Sequence, residues 1–304
     1  MMKINVRLGR CTAALLFAAC APASGAGRIA PGAGAVELVG EGVLSTAANE
    51  YNPSFTPDGR MMAFARSEPD FRNARILFAR LRDGRWGAPE PAPFADTRYG
   101  DSDPTFAPDG RTLYFVSNRP APGRDSARAD LDVWRVRREG DRWGAPEHLG
   151  PEVNTRAQEL GPAWHDGWLY FSSSRGGRAR MLDLFRAPAT GDGFGAAEAL
   201  GSVNTAASES DAELSADGTL LTFWSDRQGG EGGDLYLSRR TGAGWSAPVA
   251  LARANSAGFD FTPEISPDGR WLYFASTRAG AADRGTADGQ QASIYRVPLR
   301  SVLP

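Results

Sequence analysis

The chain is poor in the residues that build metal centres, covalent cross-links and anion-binding surfaces. Its 304 residues include two His, two Cys and a single lysine, Lys3. So few His and Cys nearly exclude a multi-histidine metal centre, a zinc ribbon and a disulfide-stapled scaffold. The formal net charge of −2 argues against nucleic-acid binding, which needs excess basic charge to neutralise phosphates.

Helical periodicity is also missing, because no stretch of residues 36–304 repeats its apolar side chains at helical spacing. In its place, 36 Gly and 21 Pro indicate frequent turns and argue against a helical bundle. Hydrophobic residues make up 41% of the chain and charged residues 23%, which suffices for a packed core. These features together indicate a turn-rich fold without long helices.

The first 35 residues have the layout of an export signal and a linker. A basic start at Lys3, Arg7 and Arg10 precedes a short apolar run, which predicts a secretory signal peptide over 1–21. The run is too short to span a bilayer as a helix. Residues 22–35 are rich in Gly, Ala and Pro and are expected to form a flexible tether.

Two cleavage routes stay open for this signal. Phe17-Ala18-Ala19-Cys20 resembles a bacterial lipobox, in which Cys20 would be lipidated and become the new N-terminus. Ordinary cleavage after the A-x-A site at 21–23 is the alternative. Either route predicts an exported protein, periplasmic or anchored to the outer membrane as a lipoprotein. Both Cys lie at or before residue 20, so the mature domain would have no disulfide.

Five copies of one unit fill the rest of the chain. A turn ending in Gly recurs at spacings of 51, 57, 51 and 51 residues, at Gly59, Gly110, Gly167, Gly218 and Gly269. An apolar run follows each turn, then a second run, and in four copies a Trp-Gly-Ala-Pro-like element. Asp-Gly between apolar runs predicts a hairpin, because Gly supplies the positive φ that the turn needs. Each unit therefore has strand A before the turn, strand B after it, strand C and an outer strand D.

Four-stranded units that are apolar on both faces become buried by stacking around an axis, which predicts a β-propeller. The fifth unit stops after strand C, whereas 36–46 precede the first strand A and resemble an unpaired strand D. We therefore expect an all-β, five-bladed β-propeller over 36–304, built of four-stranded antiparallel blades and closed by the N-terminal strand completing the last blade. Closure would remove exposed sheet edges. A solenoid of five open repeats is the alternative.

The repeated residues resemble a known family. The succession N-T-x-x-x-E, P-x-x-S-P-D-G-x-x-L-Y-F-x-S-x-R, G-G-x-x-D-L-Y and W-x-x-P is similar to the TolB-like, WD-repeat-like Pro-Asp-Gly propeller repeats of bacterial envelope proteins. The resemblance covers essentially all of 36–304 and implies the propeller fold. It leaves the function open, since such repeats occur in periplasmic partner-binding proteins, lipoproteins, peptidase propeller domains and some polysaccharide-active proteins.

One acid and, in four units, one arginine recur at fixed offsets. Because the D–A and B–C connections emerge at the same end and strand A is innermost, we expect the acids to ring the mouth of the central channel. The acids are Glu50, Asp101, Glu159, Glu209 and Asp260, and the arginines are Arg119, Arg175, Arg227 and Arg278. Two interpretations remain open: a belt of salt bridges that joins neighbouring blades, or a site for a cation, a basic peptide or a sugar.

The first unit departs from this symmetry, since Glu68 stands where the other units have arginine. Glu50 and Glu68 would then lack one expected cation and could attract calcium, unless Arg66 or Arg72 takes its place. No other cofactor is expected.

Loops and aromatic residues at the same end are further candidates for ligand contacts. Four aromatic side chains could contribute there: Tyr51, Phe71, Tyr99 and Phe259. The B–C connections at 120–130, 229–233 and 279–291 are the expected specificity loops, because binding residues concentrate on loops of rigid scaffolds.

The sequence favours binding over catalysis. It contains no G-x-S-x-G elbow, no HExxH and no Gly-rich phosphate loop, and the blades use the whole length available for a hydrolase domain. We expect an exported, monomeric, non-enzymatic scaffold of the cell envelope that binds a protein or glycan at the channel mouth. The alternative is a glycoside hydrolase or lyase that uses the channel-mouth carboxylates.

Overall fold

A computed structural model describes residues 34–123, 130–177, 181–228, 232–242, 244–278 and 291–304. In these ranges the strands form five separate antiparallel sheets that follow one another along the chain. The sheets are the blades of a five-bladed β-propeller, and the prediction from the repeats is confirmed.

The first strand precedes blade 1, and the other strands follow in chain order. Strand β1 is Glu37–Leu38, and blade 1 consists of β2 (Asn49–Phe55), β3 (Met61–Ser67), β4 (Arg75–Arg82), β5 (Arg85–Trp86) and β6 (Glu90–Pro91). Blade 2 consists of β7 (Asp101–Phe106), β8 (Thr112–Ser117), β9 (Asp132–Glu139), β10 (Arg142–Trp143) and β11 (Glu147–His148). Blade 3 consists of β12 (Glu159–His165), β13 (Trp168–Ser173), β14 (Asp183–Thr190), β15 (Gly193–Phe194) and β16 (Glu198–Ala199).

Blade 4 repeats this pattern, and blade 5 ends differently. Blade 4 consists of β17 (Glu209–Leu214), β18 (Leu220–Ser225), β19 (Asp234–Thr241), β20 (Gly244–Trp245) and β21 (Val249–Ala250). Blade 5 consists of β22 (Asp260–Ile265), β23 (Trp271–Ser276) and β24 (Ser293–Pro298), followed by the helix α1 (Leu299–Val302).

In blades 1 to 4 the outer strand D is split into two short pieces that pair with the same strand C. In blade 1, β5 pairs with the end of β4, whereas β6 pairs further back along it. The break falls at Gly87-Ala88-Pro89, where proline has no N–H to donate to the neighbouring strand. The predicted strand D therefore exists as a bent edge.

The N-terminal segment closes the ring. Glu37 and Leu38 pair with Arg296 and Tyr295 of β24, so β1 is the outer strand of blade 5. The start of β2 adds to the closure, because the Ala292 N–H donates to Asn49 Oδ1 at 2.9 Å. A solenoid with two open ends is thereby excluded.

The apolar core lies between neighbouring blades. Phe64, Phe115, Phe171, Phe223 and Phe274 occupy equivalent positions on the five B strands and are fully buried. Because every blade contributes two apolar faces, a separate apolar cluster lies between each pair of neighbouring blades. Within the ranges given above, no helix is long and apolar enough to cross a membrane.

The two ends of the propeller differ in character. One end, here called the loop face, carries the D–A connections and the B–C connections such as 68–74 in blade 1. The other end, here called the turn face, carries the A–B turns; in one of them Gly59 adopts a φ of +66°.

Candidate functional site

The five acids that the repeats single out lie at the start of the five A strands. Their side chains are buried, none more than 2% exposed: Glu50, Asp101, Glu159, Glu209 and Asp260. They are therefore anchored inside the loop face and are not open to solvent at its surface.

Each acid forms an ion pair with an arginine of its own blade. The shortest N···O distances are 2.9 Å for Arg66–Glu50, 2.7 Å for Arg119–Asp101, 3.3 Å for Arg175–Glu159, 3.1 Å for Arg227–Glu209 and 2.9 Å for Arg278–Asp260. We call these ten residues the acid–arginine belt. In the belt each buried carboxylate has an opposite charge beside it, which offsets the cost of removing the carboxylate from water.

The arginines also reach the preceding blade. Arg119 Nη2 donates to the carbonyl oxygen of Phe94 at 3.1 Å, and Arg227 Nη2 donates to that of Val203 at 2.9 Å. Both carbonyls belong to the residues that follow the previous strand D. Each guanidinium therefore joins two neighbouring blades, which is the arrangement expected of a structural belt. Whether the acids also bind a ligand stays a prediction.

Hydrogen bonds from the D–A connections complete the environment of the acids. The backbone N–H and the hydroxyl of Thr46 both donate to Glu50, at 3.0 and 2.5 Å. Burial raises the pKa of Glu50, and the bonds from Thr46 and Arg66 oppose that effect. Burial likewise raises the pKa of Asp101, opposed by Arg119 and Ser117.

Blade 1 compensates for its missing arginine. Arg66, two residues before Glu68, supplies the cation to Glu50, so the expected lack of a positive charge beside Glu50 is not observed. Glu68 is exposed, and its Oε1 accepts a hydrogen bond from Asn73 Nδ2 at 2.8 Å. Among the residues that the structure describes, no group of three or more His, Cys, Asp or Glu side chains is arranged to hold a metal ion.

The channel axis is lined by residues two to four positions beyond the belt acids. Every strand A carries a bulge there, because its pairing with strand B shifts register. The residue at the bulge has a positive φ between 48° and 56° in each blade: Asn52, Asp103, Gly161, Asp211 and Thr262. A β-branched threonine rarely adopts this conformation, so the propeller geometry overrides local preference at Thr262.

Four carboxyl groups in the channel were missed by the sequence reasoning. Asp103 and Asp211 are bulge residues, and Glu213 and Glu264 lie two positions further on. Their fixed offset from the belt acids was the available signal. This signal was not recognised because a regular strand A would not direct these four side chains towards the axis. The bulge in strand A turns them towards it.

The four carboxyls act as two pairs of like charges. Burial, together with the charge of Asp103, raises the pKa of Asp211 to about 8. Burial raises the pKa of Glu213 to about 8, and burial with the Glu213 charge raises that of Glu264 well above its usual value. Each pair therefore retains a proton near neutral pH.

The space between these groups is small. The cavity at the axis has a volume of about 20 Å³. A buried site needs about 10–15 Å³ to hold one water molecule. The centre of the channel therefore accommodates a water molecule and excludes a sugar ring.

An aromatic cluster lies beside the loop-face end of the channel. The ring centroids of Tyr51 and Phe71 are 5.4 Å apart, and those of Phe71 and Phe261 are 6.0 Å apart. Phe259 stacks on Phe261 at 4.3 Å, and Trp224 meets Phe259 edge-on at 5.2 Å. We call these five residues the aromatic cluster. Sequence analysis named Tyr51, Phe71 and Phe259, and missed Phe261 and Trp224.

The cluster is connected to the channel carboxyls. The indole N–H of Trp224 donates to Asp211 Oδ2 at 2.6 Å. Burial, with the charges of Asp103 and Asp211, raises the pKa of Tyr51. Tyr99 lies elsewhere, against the guanidinium groups of Arg98 and Arg119.

Phe71 is the exposed member of the cluster. It is 42% exposed and has a φ of +60°, a conformation that bulky side chains rarely adopt. Backbone strain of this kind concentrates at sites of function. Phe71 therefore marks the loop face as the candidate binding surface.

Some of the predicted features fall outside the described residues. They include Cys20, the signal peptide and most of the tether, together with most of the B–C connections at 120–130, 229–233 and 279–291.

Comparisons with known proteins support the fold. No family model matches the chain, and no curated protein matches it. It is similar to TolB from Acinetobacter baumannii, with 16% identity and a TM-score of 0.48, over 83% of this chain and 54% of that one. It therefore spans about half the length of that protein.

Two further solved structures cover most of their own length. A TolB protein from Agrobacterium tumefaciens matches with 17% identity and a TM-score of 0.50, over 83% of this chain and 84% of that one. A thermostable family-43 glycoside hydrolase matches with 8% identity and a TM-score of 0.55, over 86% and 91%. The resemblance to TolB-like propellers is confirmed at the level of the fold.

Proposed function

We propose that the chain is an exported, non-enzymatic β-propeller of the bacterial cell envelope that binds a protein or glycan partner through its loop face. The observation that carries the proposal is Phe71, an exposed aromatic ring held at positive φ over Tyr51 and Phe261. Exposed aromatic side chains on rigid supports are favoured anchors for both classes of partner.

The size of the channel supports binding over catalysis. Pockets that enclose small-molecule substrates have volumes of about 300–1,000 Å³. The carboxyl groups at the axis surround about 20 Å³. A glycosidic bond between these carboxyls would need an opening that the five packed A strands do not provide.

A glycoside hydrolase is the second candidate, and one observation favours it. A carboxyl group that stays protonated at neutral pH, such as Asp211, has the property required of a general acid. For hydrolysis, a glycan would have to reach Asp211 from the loop face, past the Trp224 indole. The indole N–H now donates a hydrogen bond to one of the Asp211 oxygens.

Replacing Phe71 by Asn tests the loop face. Asn tolerates positive φ, so we expect the free energy of unfolding to change by less than about 1 kcal/mol while partner binding is lost. The measurement is capture of partners from envelope extract on immobilised protein, with protease treatment to separate a protein partner from a glycan.

Val249→Ser is the matched control. Val249 is also large, apolar and exposed, at 47%, but it lies on the outer strand β21. Capture that persists in Phe71→Asn and fails in Val249→Ser would overturn the proposal. Hydrolysis of a glycan by the wild type that Asp211→Asn abolishes would favour the second candidate.

The proposed cellular location rests on the sequence of residues 1–23. We propose export with either lipidation of Cys20 or cleavage near 21–23. Mass spectrometry of the mature N-terminus distinguishes the two, since only the lipoprotein route leaves a diacylated Cys20.

A further inference from the structure

The loop face carries one exposed aromatic ring among polar side chains of the same connection. Phe71 is 42% exposed, whereas Tyr51 and Phe261, which its ring contacts, are buried. The hydrogen-bonding side chains of the connection 68–74 are all exposed: Glu68, Asp70, Arg72 and Asn73. One apolar ring is therefore bordered along the chain by groups that donate or accept hydrogen bonds.

This connection is fixed by a buried asparagine. Asn49 is fully buried, and its Nδ2 donates to the carbonyl oxygens of Glu68 and Pro69, at 2.9 Å each. The N–H of Phe71 also donates to the carbonyl oxygen of Glu68, at 2.9 Å. Phe71 is therefore held in place before a ligand arrives, which lowers the entropy lost on binding.

Glu68 takes no part in the acid–arginine belt. It stands where the other blades place the belt arginine, but in blade 1 Arg66 supplies that cation to Glu50. One carboxylate oxygen of Glu68, Oε1, accepts a hydrogen bond from Asn73. The other oxygen, Oε2, has no hydrogen-bond partner among the described residues. Glu68 is therefore an exposed acceptor that the fold leaves available.

The connection carries a negative charge. Glu68 and Asp70 contribute two negative charges and Arg72 one positive charge, and Arg72 pairs with Asp70. The resulting net charge of −1 over 68–74 opposes an anionic ligand. Hydroxyl groups, which both donate and accept hydrogen bonds, suit the carboxylates and the amide alike.

The apolar area is too small for a protein interface. Such an interface buries about 800 Å² on each partner, around a core of several apolar side chains. On the part of the loop face that the structure describes, Phe71 is the one large apolar side chain that is exposed, since Val249 lies on the outer strand β21. A sugar ring, in contrast, presents a face of C–H groups that matches a single aromatic ring, with hydroxyl groups around it.

We propose that Phe71 and the connection 68–74 bind an uncharged glycan, in which one sugar ring stacks on Phe71 and its hydroxyl groups bond to Glu68 and Asn73. This inference rests on the proposed function and names the class of its partner. The Glu68 carboxylate accepts from one hydroxyl group, and such charge-assisted bonds are stronger than neutral ones. The Asn73 amide supplies a donor and an acceptor to a second hydroxyl group.

The test measures the binding of three tetrasaccharides by isothermal titration calorimetry. Xylotetraose and chitotetraose are uncharged, whereas tetragalacturonate carries a carboxylate on every ring. At least one uncharged tetrasaccharide should bind with a Kd below about 1 mM, and tetragalacturonate should bind at least about tenfold more weakly. The double variant Glu68→Gln, Asp70→Asn should reduce that preference to about twofold, because it removes both negative charges.

Substitutions of Phe71 test the stacking. Phe71→Asn keeps positive φ accessible but removes the ring, so the Kd for the uncharged tetrasaccharide should rise about tenfold or more. Phe71→Tyr keeps the ring and should bind within about twofold of the wild type. Val249→Ser is the matched control for loss of an exposed apolar side chain, and it should leave the Kd unchanged.

The inference is wrong if neither uncharged tetrasaccharide binds with a Kd below about 1 mM. Equal affinity for tetragalacturonate, or binding that Phe71→Asn leaves unchanged, would overturn it as well. The proposed function fails separately, if capture from envelope extract does not depend on Phe71. Capture that depends on Phe71 but is abolished by protease treatment would keep the loop face as the binding surface and make its partner a protein, against this inference.

Discussion

Arg119→Ala is expected to destabilise the propeller by about 3–5 kcal/mol, because it leaves Asp101 charged and buried without its cation. Asp101 is 2% exposed, and both of its carboxylate oxygens accept hydrogen bonds from Arg119, at 2.7 and 3.0 Å. The same substitution frees the carbonyl oxygen of Phe94 in the preceding blade. Denaturant unfolding of the two proteins measures the difference.

Arg98→Ala is the control for loss of an arginine as such. Arg98 pairs with Asp96 on the same loop face, but the Arg98 side chain is 73% exposed and that of Asp96 31%, and no change in melting temperature is expected. An unchanged melting temperature for Arg119→Ala would contradict the structural role of the belt. If Asp101→Asn and Glu50→Gln also kept the melting temperature but abolished a shift caused by calcium or oligosaccharide, the acids would be a ligand site.

The architecture could be predicted from the sequence because the same four-stranded unit recurs five times. Each Asp-Gly turn is a weak local signal, but its recurrence at nearly constant spacing predicts blades of equal size. Closure of the ring could be predicted because the fifth unit lacks a strand D and the N-terminal segment supplies one. In the structure β1 pairs with β24 accordingly. The pairing of Arg119 with Asp101 could be anticipated because both positions recur at fixed offsets.

The channel could not be anticipated in the same way. Alternation along a regular strand assigns side chains to two faces, and the bulge at Asp103 or Asp211 shifts that assignment. The aromatic cluster was only partly foreseen, because Phe71 and Phe261 belong to the first and last blades and meet only after ring closure. Long-range contacts of this kind leave no periodic trace in the sequence.

Stability is expected to fall as the pH rises from about 6 to about 8, and the channel carboxyls are the reason. In the unfolded chain these groups ionise near their ordinary pKa of about 4. In the folded protein burial raises the pKa of Asp211 and of Glu213 to about 8, so the folded state keeps protons that the unfolded state releases. Each retained proton lowers the free energy of unfolding by about 1.4 kcal/mol per pH unit, and the slope flattens above about pH 8.

Asp211→Asn should remove the contribution of Asp211 itself, because an amide does not ionise. The amide oxygen can still accept the hydrogen bond from Trp224. Asp103 keeps the pKa that its own burial raises. The measurement is the slope of unfolding free energy against pH for the variant and the wild type. Asp217→Asn on the turn face is the matched control, since hydrogen bonds from Ser215 and Thr219 lower the pKa of Asp217 and it stays ionised throughout. Comparing variants also cancels His165, whose pKa is lowered by burial and which acts in the opposite sense below about pH 6.5. Equal slopes for Asp211→Asn and the wild type would show that Asp211 holds no proton at neutral pH.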